Sequence, residues 1–200
     1  MKTETSTKTL ITLAMNLITK RGWCNLTLQE LATEASVPLI EIYRVFPEKR
    51  SILITFVRHI DQEVLSQNMN DDLSDPPRDR LFEILMRRFE SLQPYRESLN
   101  IIAQEWYRDL IPMIMTAPHF IRSMRWMLHL AAIDLNTPKG SFLTIAVSAL
   151  YVRTLRVWLT DQSMDMSRTM AVIDRNLKRL EQWTKPWPSI ACAQEINETS

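Results

Sequence analysis

Apolar side chains recur along most of this chain at three- and four-residue steps, the period of an α-helix with one buried face. Leu10, Leu13, Ala14, Leu17 and Ile18 form the first such stripe, which breaks at Gly22 in "RGWCN". In "LTLQELATEAS", Thr27 followed by Glu30 is a capping-box pattern that starts a short second helix. Leu28, Leu31 and Ala32 are expected to face inward from it. A third helix starts near Pro38, a residue tolerated in a first turn because the N–H it lacks has no partner there. Its apolar face is Ile42, Val45 and Phe46, and "KRSILITFVRHIDQEVL" continues as a longer fourth helix.

Polar, proline-bearing stretches punctuate the rest. "NMNDDLSDPPRD" (68–79) reads as a linker, "LNTPKGS" (135–141) as a turn, and "TKPWPSIACAQEINETS" (184–200) as a frayed tail. About five further helices are expected between 78 and 184. The division predicted is 1–50 for a small N-terminal domain, 51–67 for a connecting helix, 68–79 for the linker, 80–184 for a larger helical domain and 185–200 for a disordered tail.

Composition supports an all-α protein. Gly occurs twice and Pro ten times, whereas tight β-turns call for more Gly. Hydrophobic residues are 46% of the 200, enough for a sizeable core. Net charge is +1, so attraction to a polyanion has to come from a local patch. Cys24 and Cys192 fit no metal spacing and read as free thiols of a reducing cytoplasm. The N-terminus lacks the basic start and apolar run of a signal peptide, and no uncharged apolar stretch of about 18 residues is present.

Two short helices joined by "ASVP" make a helix-turn-helix, the unit whose second helix enters the major groove of DNA. "AMNLITKRGWCNLTLQELATEASVPLIEIYRVFPEKRSIL", Ala14 to Leu53, resembles the TetR-type regulators: Ala14, Gly22, Thr27, Ala32, Val37, Tyr43, Phe46, Lys49 and Leu53 fill that family's pattern. The resemblance implies an N-terminal three-helix helix-turn-helix domain, a C-terminal helical domain for ligand binding and dimerisation, and a homodimer on an operator duplex. It also implies that Thr27, Tyr43 and Lys49 touch phosphates and that Pro38, Leu39, Glu41 and Arg44 lie nearest the bases. The chain departs from the family where Ser, Gly and a small residue or Thr usually stand, holding Pro38, Ile40 and Glu41 instead. Residues 1–50 carry seven positive and five negative side chains, a weak footprint for a DNA-binding face.

A second resemblance extends into the C-terminal half. With "SMRWMLHLAAID" and "LYVRTLRVWLTDQSMDMSRTMAVIDRNLKRLE", the chain is similar to a bacterial TetR-like branch related to the lipid-binding accessory protein of ubiquinone biosynthesis. That resemblance implies the same fold without DNA binding, a lipid-like ligand, and contact with a membrane surface.

Other candidate residues follow from residue type. Phe89, Trp106, Tyr107, Met113, Met115, Met124, Trp126, Met127, Tyr151 and Trp158 suit an adaptable apolar pocket, though core packing explains each of them singly. Arg122, Arg125, Arg153 and Arg156 sit in apolar helices. A ligand headgroup, an ion pair or an exposed helix edge would each satisfy them, and the last two are the ordinary outcomes. The helices Ser141–Thr160 and Asp165–Trp183 are apolar beyond one subunit's needs, so Leu150, Leu155, Ile173, Leu177 and Leu180 are expected at a homodimer interface. His59, His119 and His129 have no partners at metal-ligand spacing, and no nucleophile motif or glycine loop proposes a reaction or cofactor. The chain therefore reads as a non-enzymatic binding protein: a dimeric regulator reading operator DNA with the helix 38–49 and responding to a small apolar ligand, or a lipid-binding protein on the same scaffold.

Overall fold

A computed structural model describes residues 2–67, 75–106, 111–184 and 187; the linker residues 68–74, Cys192 and nearly all of the C-terminal tail lie outside the described residues. The described residues form helices α1 (Lys2–Arg21), α2 (Leu28–Glu34), α3 (Leu39–Val45), α4 (Lys49–Gln67), α5 (Pro77–Leu92), α6 (Arg96–Trp106), α7 (Ile111–Leu130), α8 (Pro138–Thr160) and α9 (Ser167–Thr184). A 3-10 turn, Gln93–Tyr95, carries the Pro94 break between α5 and α6. No strand occurs among the described residues, and the fold is all-α.

The chain divides into two compact units, and the divisions fall inside α4, at the last residue of α5 and inside α7. One unit is Met1–Ile60 with Leu92–His119, the other Asp61–Ser91 with Phe120–Ser200.

In the first unit, Leu10, Ile11, Ala14, Met15, Leu17 and Ile18 bury the inner face of α1, and Leu31, Ala32, Ile42, Phe46, Ile52 and Phe56 complete the core. Leu28 is only half-buried, because it lies on the surface side of α2 beside Leu39 and Ile40. Gly22 terminates α1 with φ +84, a left-handed conformation that strains any side chain. A Cβ there would also collide with Glu105 Oε1, whose carboxylate accepts a hydrogen bond from the Cys24 N–H at 2.7 Å. Gly22 thus stops α1, and the Glu105 carboxylate of α6 reaches the turn beside it.

In the second unit, Leu81, Ile84, Leu85 and Phe89 of α5 are fully buried, as are Met124, Met127 and Leu128 of α7. Leu143, Val147 and Trp158 of α8 and Ile173 and Leu177 of α9 join them. The "TPKG" segment is not a free turn. Thr137 caps α8 by accepting the Gly140 N–H, and Pro138 opens the helix. Among the described residues α8 is the one helix long and apolar enough to cross a membrane, and its buried side chains belong to this core.

Two arginines of α5 are buried. Arg80 donates from Nε and Nη2 to the carbonyl of Ala131, just past the end of α7, at 3.1 and 2.8 Å. Arg88 pairs with Asp61, whose carboxylate also accepts the Ser123 hydroxyl at 2.7 Å. The Arg88 guanidinium lies 5.5 Å from the Tyr151 ring centre. Arg122, Arg125, Arg153 and Arg156 are all exposed.

Candidate nucleic-acid interface

The helix-turn-helix is held by local bonds. The Thr27 hydroxyl accepts the Glu30 N–H at 3.1 Å, and the Glu30 carboxylate accepts the Thr27 N–H at 3.0 Å, closing the capping box. That backbone bond is the main reason the Glu30 carboxyl sits below its ordinary range. In the turn, Ser36 adopts φ 53, and the Val37 N–H reaches back to the Ala32 carbonyl at 3.1 Å. Pro38 stands just before α3 rather than within it, and its carbonyl accepts the Glu41 N–H at 2.9 Å.

Helix α3 has two contrasting sides. Ile42, with Phe46 just past the helix end, is fully buried and anchors it. Leu39, Ile40 and Tyr43 are exposed by 44%, 55% and 56%, and Glu41 and Arg44 stand exposed with them. Leu28 and Gln29 of α2 join Leu39, Ile40 and Tyr43 around a shallow depression of about 420 Å³.

Charge on this side is balanced pair by pair. Arg44 Nη1 lies 2.6 Å from Glu41 Oε1. Arg21 is paired with Glu30, Arg50 with Glu48, and Lys20 with Glu34 at 3.9 Å. Lys49 donates to the Cys24 carbonyl at 2.9 Å and lies 4.9 Å from the centre of the Trp23 ring. Burial pushes the Lys49 ammonium down from its ordinary pKa, against the pull of Cys24, Glu105 and Glu30. Every cation between residues 20 and 50 thus has a partner within the chain. The sequence tally of charges could not reveal this, because it contains no distances.

The residues expected to line a pocket separate. Phe89, Met124, Met127, Tyr151 and Trp158 are buried in the second unit, where the Phe89 ring stacks on Tyr151 at 4.8 Å and lies 5.7 Å from Trp158. Trp126 does not join them. The inward face of α7 carries Ser123, Met124, Met127 and Leu128, which leaves Trp126 48% exposed, edge-on to His129. Trp106 is half-buried on α6 in the first unit, and the side chain of Met113 lies outside the described residues.

The expected interface residues also need correction. Ile173 and Leu177 are fully buried within the chain, on the side of α9 that packs on α8, and Leu150 is nearly so. Leu155 and Leu180 are half-buried. The large apolar side chains that these two helices leave exposed are Phe142, Ile145, Met170 and Trp183. Among the described residues no cluster of His, Cys, Asp or Glu could hold a metal ion.

No protein-family model matches the sequence, and no curated protein matches it significantly. The fold does match solved structures. A TetR transcriptional regulator from Nitrosomonas europaea ATCC 19718 aligns with TM-score 0.71 and 18% identity, over 89% of this chain and 98% of that one. A TetR transcriptional regulator from Rhodococcus sp. RHA1 aligns with TM-score 0.64 and 20% identity, over 88% and 97%. A TetR variant from Acinetobacter baumannii AYE, in complex with minocycline, aligns with TM-score 0.56 and 21% identity, over 89% and 97%.

Proposed function

Because the chain has the fold of TetR-type regulators, we propose that it is a dimeric DNA-binding regulator that presents α3 to the major groove. The observation that carries this reading is the division of α3 into an anchored side, Ile42 and Phe46, and an open side, Leu39, Ile40, Glu41, Tyr43 and Arg44. Such a helix presents side chains rigidly, as a reading element must. Tyr43 supplies a hydroxyl and Lys49 a cation for phosphates. Thr27 contributes the N-terminus of α2, once a phosphate competes with the Glu30 carboxylate that now occupies it.

In this reading the second unit answers to a small apolar ligand through its buried Phe89, Met124, Met127, Tyr151 and Trp158. The ligand alters DNA affinity only in so far as it binds the DNA-competent and DNA-incompetent states unequally. Phe142, Ile145 and Met170, with the half-buried Leu155 and Leu180, are the surface that a second copy would cover.

One observation favours a second reading, that of a lipid-binding protein that keeps the scaffold and does not bind DNA. The cations around α3 are internally paired and the surface between them is apolar.

The test is binding of the purified full chain to its upstream DNA and to random duplex across a salt series. Specific binding that falls with salt and weakens in Lys49→Ala and Tyr43→Phe supports the regulator. Failure to exceed the random-duplex level at low salt, with lipid recovered on solvent extraction of the protein, supports the second reading.

A further inference from the structure

The open side of α3 offers DNA few hydrogen-bond donors. Leu39 and Ile40 hold the first two positions of the helix, the turn that meets base edges in a helix-turn-helix. Both are about half exposed, and the Tyr43 ring and Leu28 continue the apolar surface around one depression, with the Gln29 amide of α2 on its rim. The charged groups on this side, Glu41 and Arg44, are bound to each other.

Base pairs present distinct edges in the major groove. Guanine offers two acceptors, which a free Arg or Lys takes with two hydrogen bonds, and adenine offers an acceptor and a donor, which suit an amide side chain. Thymine alone presents a methyl group there. Branched alkyl side chains match that group and can satisfy none of the others, so placing Leu39 or Ile40 against a polar edge would leave that edge without a partner. The one guanidinium on the face is held by Glu41, which weakens the competing guanine readout.

Resting on the DNA-binding reading above, we infer that Leu39 and Ile40 determine operator specificity by packing against thymine C5-methyl groups. The half-site of this protein therefore contains one or two thymines recognised by their methyls, and its sequence preference is read mainly as shape and apolar contact.

Deoxyuridine isolates this contact, because it lacks the methyl and keeps thymine's hydrogen-bonding groups. Duplexes bound by the full chain are first enriched from a random pool. Each thymidine of the enriched site is then replaced singly by deoxyuridine, and affinity is measured for the wild type, Leu39→Ala and Ile40→Ala. Replacement at one or two positions per half-site is expected to weaken wild-type binding about four-fold per methyl, the worth of one buried methyl-sized group. That penalty should vanish in Ile40→Ala or Leu39→Ala. Both side chains are exposed, so unchanged circular dichroism and melting confirm that neither variant has unfolded. Specific binding with no deoxyuridine penalty, or a penalty that both variants retain, overturns the inference and leaves the DNA-binding reading intact. If no duplex is enriched at all, both fall together.

Discussion

Glu41 and Arg44 stand one turn apart on α3, and the Glu41 carboxylate accepts a hydrogen bond from the Arg44 guanidinium at 2.6 Å. Both are exposed, so the pair adds little to stability; exposed pairs contribute about 0–1 kcal/mol. Its consequence is electrostatic. The carboxylate occupies the guanidinium that would otherwise meet a phosphate or a guanine. Glu41→Ala should therefore raise affinity for duplex DNA several-fold at low salt and steepen the salt slope by about one per subunit. Arg44→Ala should lower affinity, and neither should shift the melting temperature appreciably. Fluorescence anisotropy across a potassium chloride series checks this. Equal affinity of Glu41→Ala and wild type would show that Glu41 does not restrain Arg44.

The buried Asp61–Arg88 pair should behave oppositely, with a large effect on stability. Removing one partner leaves a charge stranded in the core, so Asp61→Ala is expected to cost about 3–5 kcal/mol. The Ser123 hydroxyl would lose its acceptor as well. The double variant Asp61→Leu with Arg88→Met should recover most of that loss, since no charge is left behind. Urea denaturation of the two variants decides the matter, and a loss under about 1 kcal/mol in Asp61→Ala would contradict the burial of this pair.

Asp161 links stability to pH. Burial alone would raise its pKa, yet the Thr169 N–H and hydroxyl donate to Oδ2 and the Ser163 N–H and hydroxyl to Oδ1, holding the carboxyl well below its ordinary 3.8. A depressed carboxyl stabilises the fold at pH values above its unfolded pKa. That contribution fades as pH falls below about 4 toward the folded value. Asp161→Asn should cost about 1–2 kcal/mol at pH 7, where a cap of α9 is weakened, and the gap to wild type should narrow as the pH drops toward 3. Parallel melts from pH 7 to 3 test it. A gap that stays constant would show that the carboxylate charge is not what matters.

Much of the helix-turn-helix was legible before any coordinates. The Thr27–Glu30 capping box spans three residues, so its bonds are implied by spacing alone. The break at Gly22 and the burial of Ile42 and Phe46 were legible for the same reason. The turn residue Ser36, held at φ 53, gave no such signal, because Ser is not a residue type that announces a left-handed conformation.

The C-terminal half was less transparent. Trp126 looked like a pocket residue by type and is exposed, while Ile173 and Leu177 looked available to a partner and are consumed by the chain's own core. Arg80 and Arg88 are arginines by type like the exposed ones elsewhere in the chain, and only packing buries them. In α7 and α8 apolar residues extend around much of the circumference, so periodicity does not identify the inward side; in α9 the stripe is clear, but periodicity does not say whether it meets the chain's own core or a second copy.

Local order is therefore what the amino-acid sequence determined by itself: helical segments, their caps and breaks, the anchored side of α3, and the all-α class. These follow from interactions between residues a few positions apart. Tertiary structure decided the chemistry of the surfaces. It set Lys49 against the Cys24 carbonyl and Trp23, placed Arg88 on Asp61, and gathered Leu28, Leu39, Ile40 and Tyr43 into one apolar face. Each of these depends on distances between segments far apart in the chain, and a Coulombic or dispersion contact of a few ångströms exists only once packing has brought those segments together.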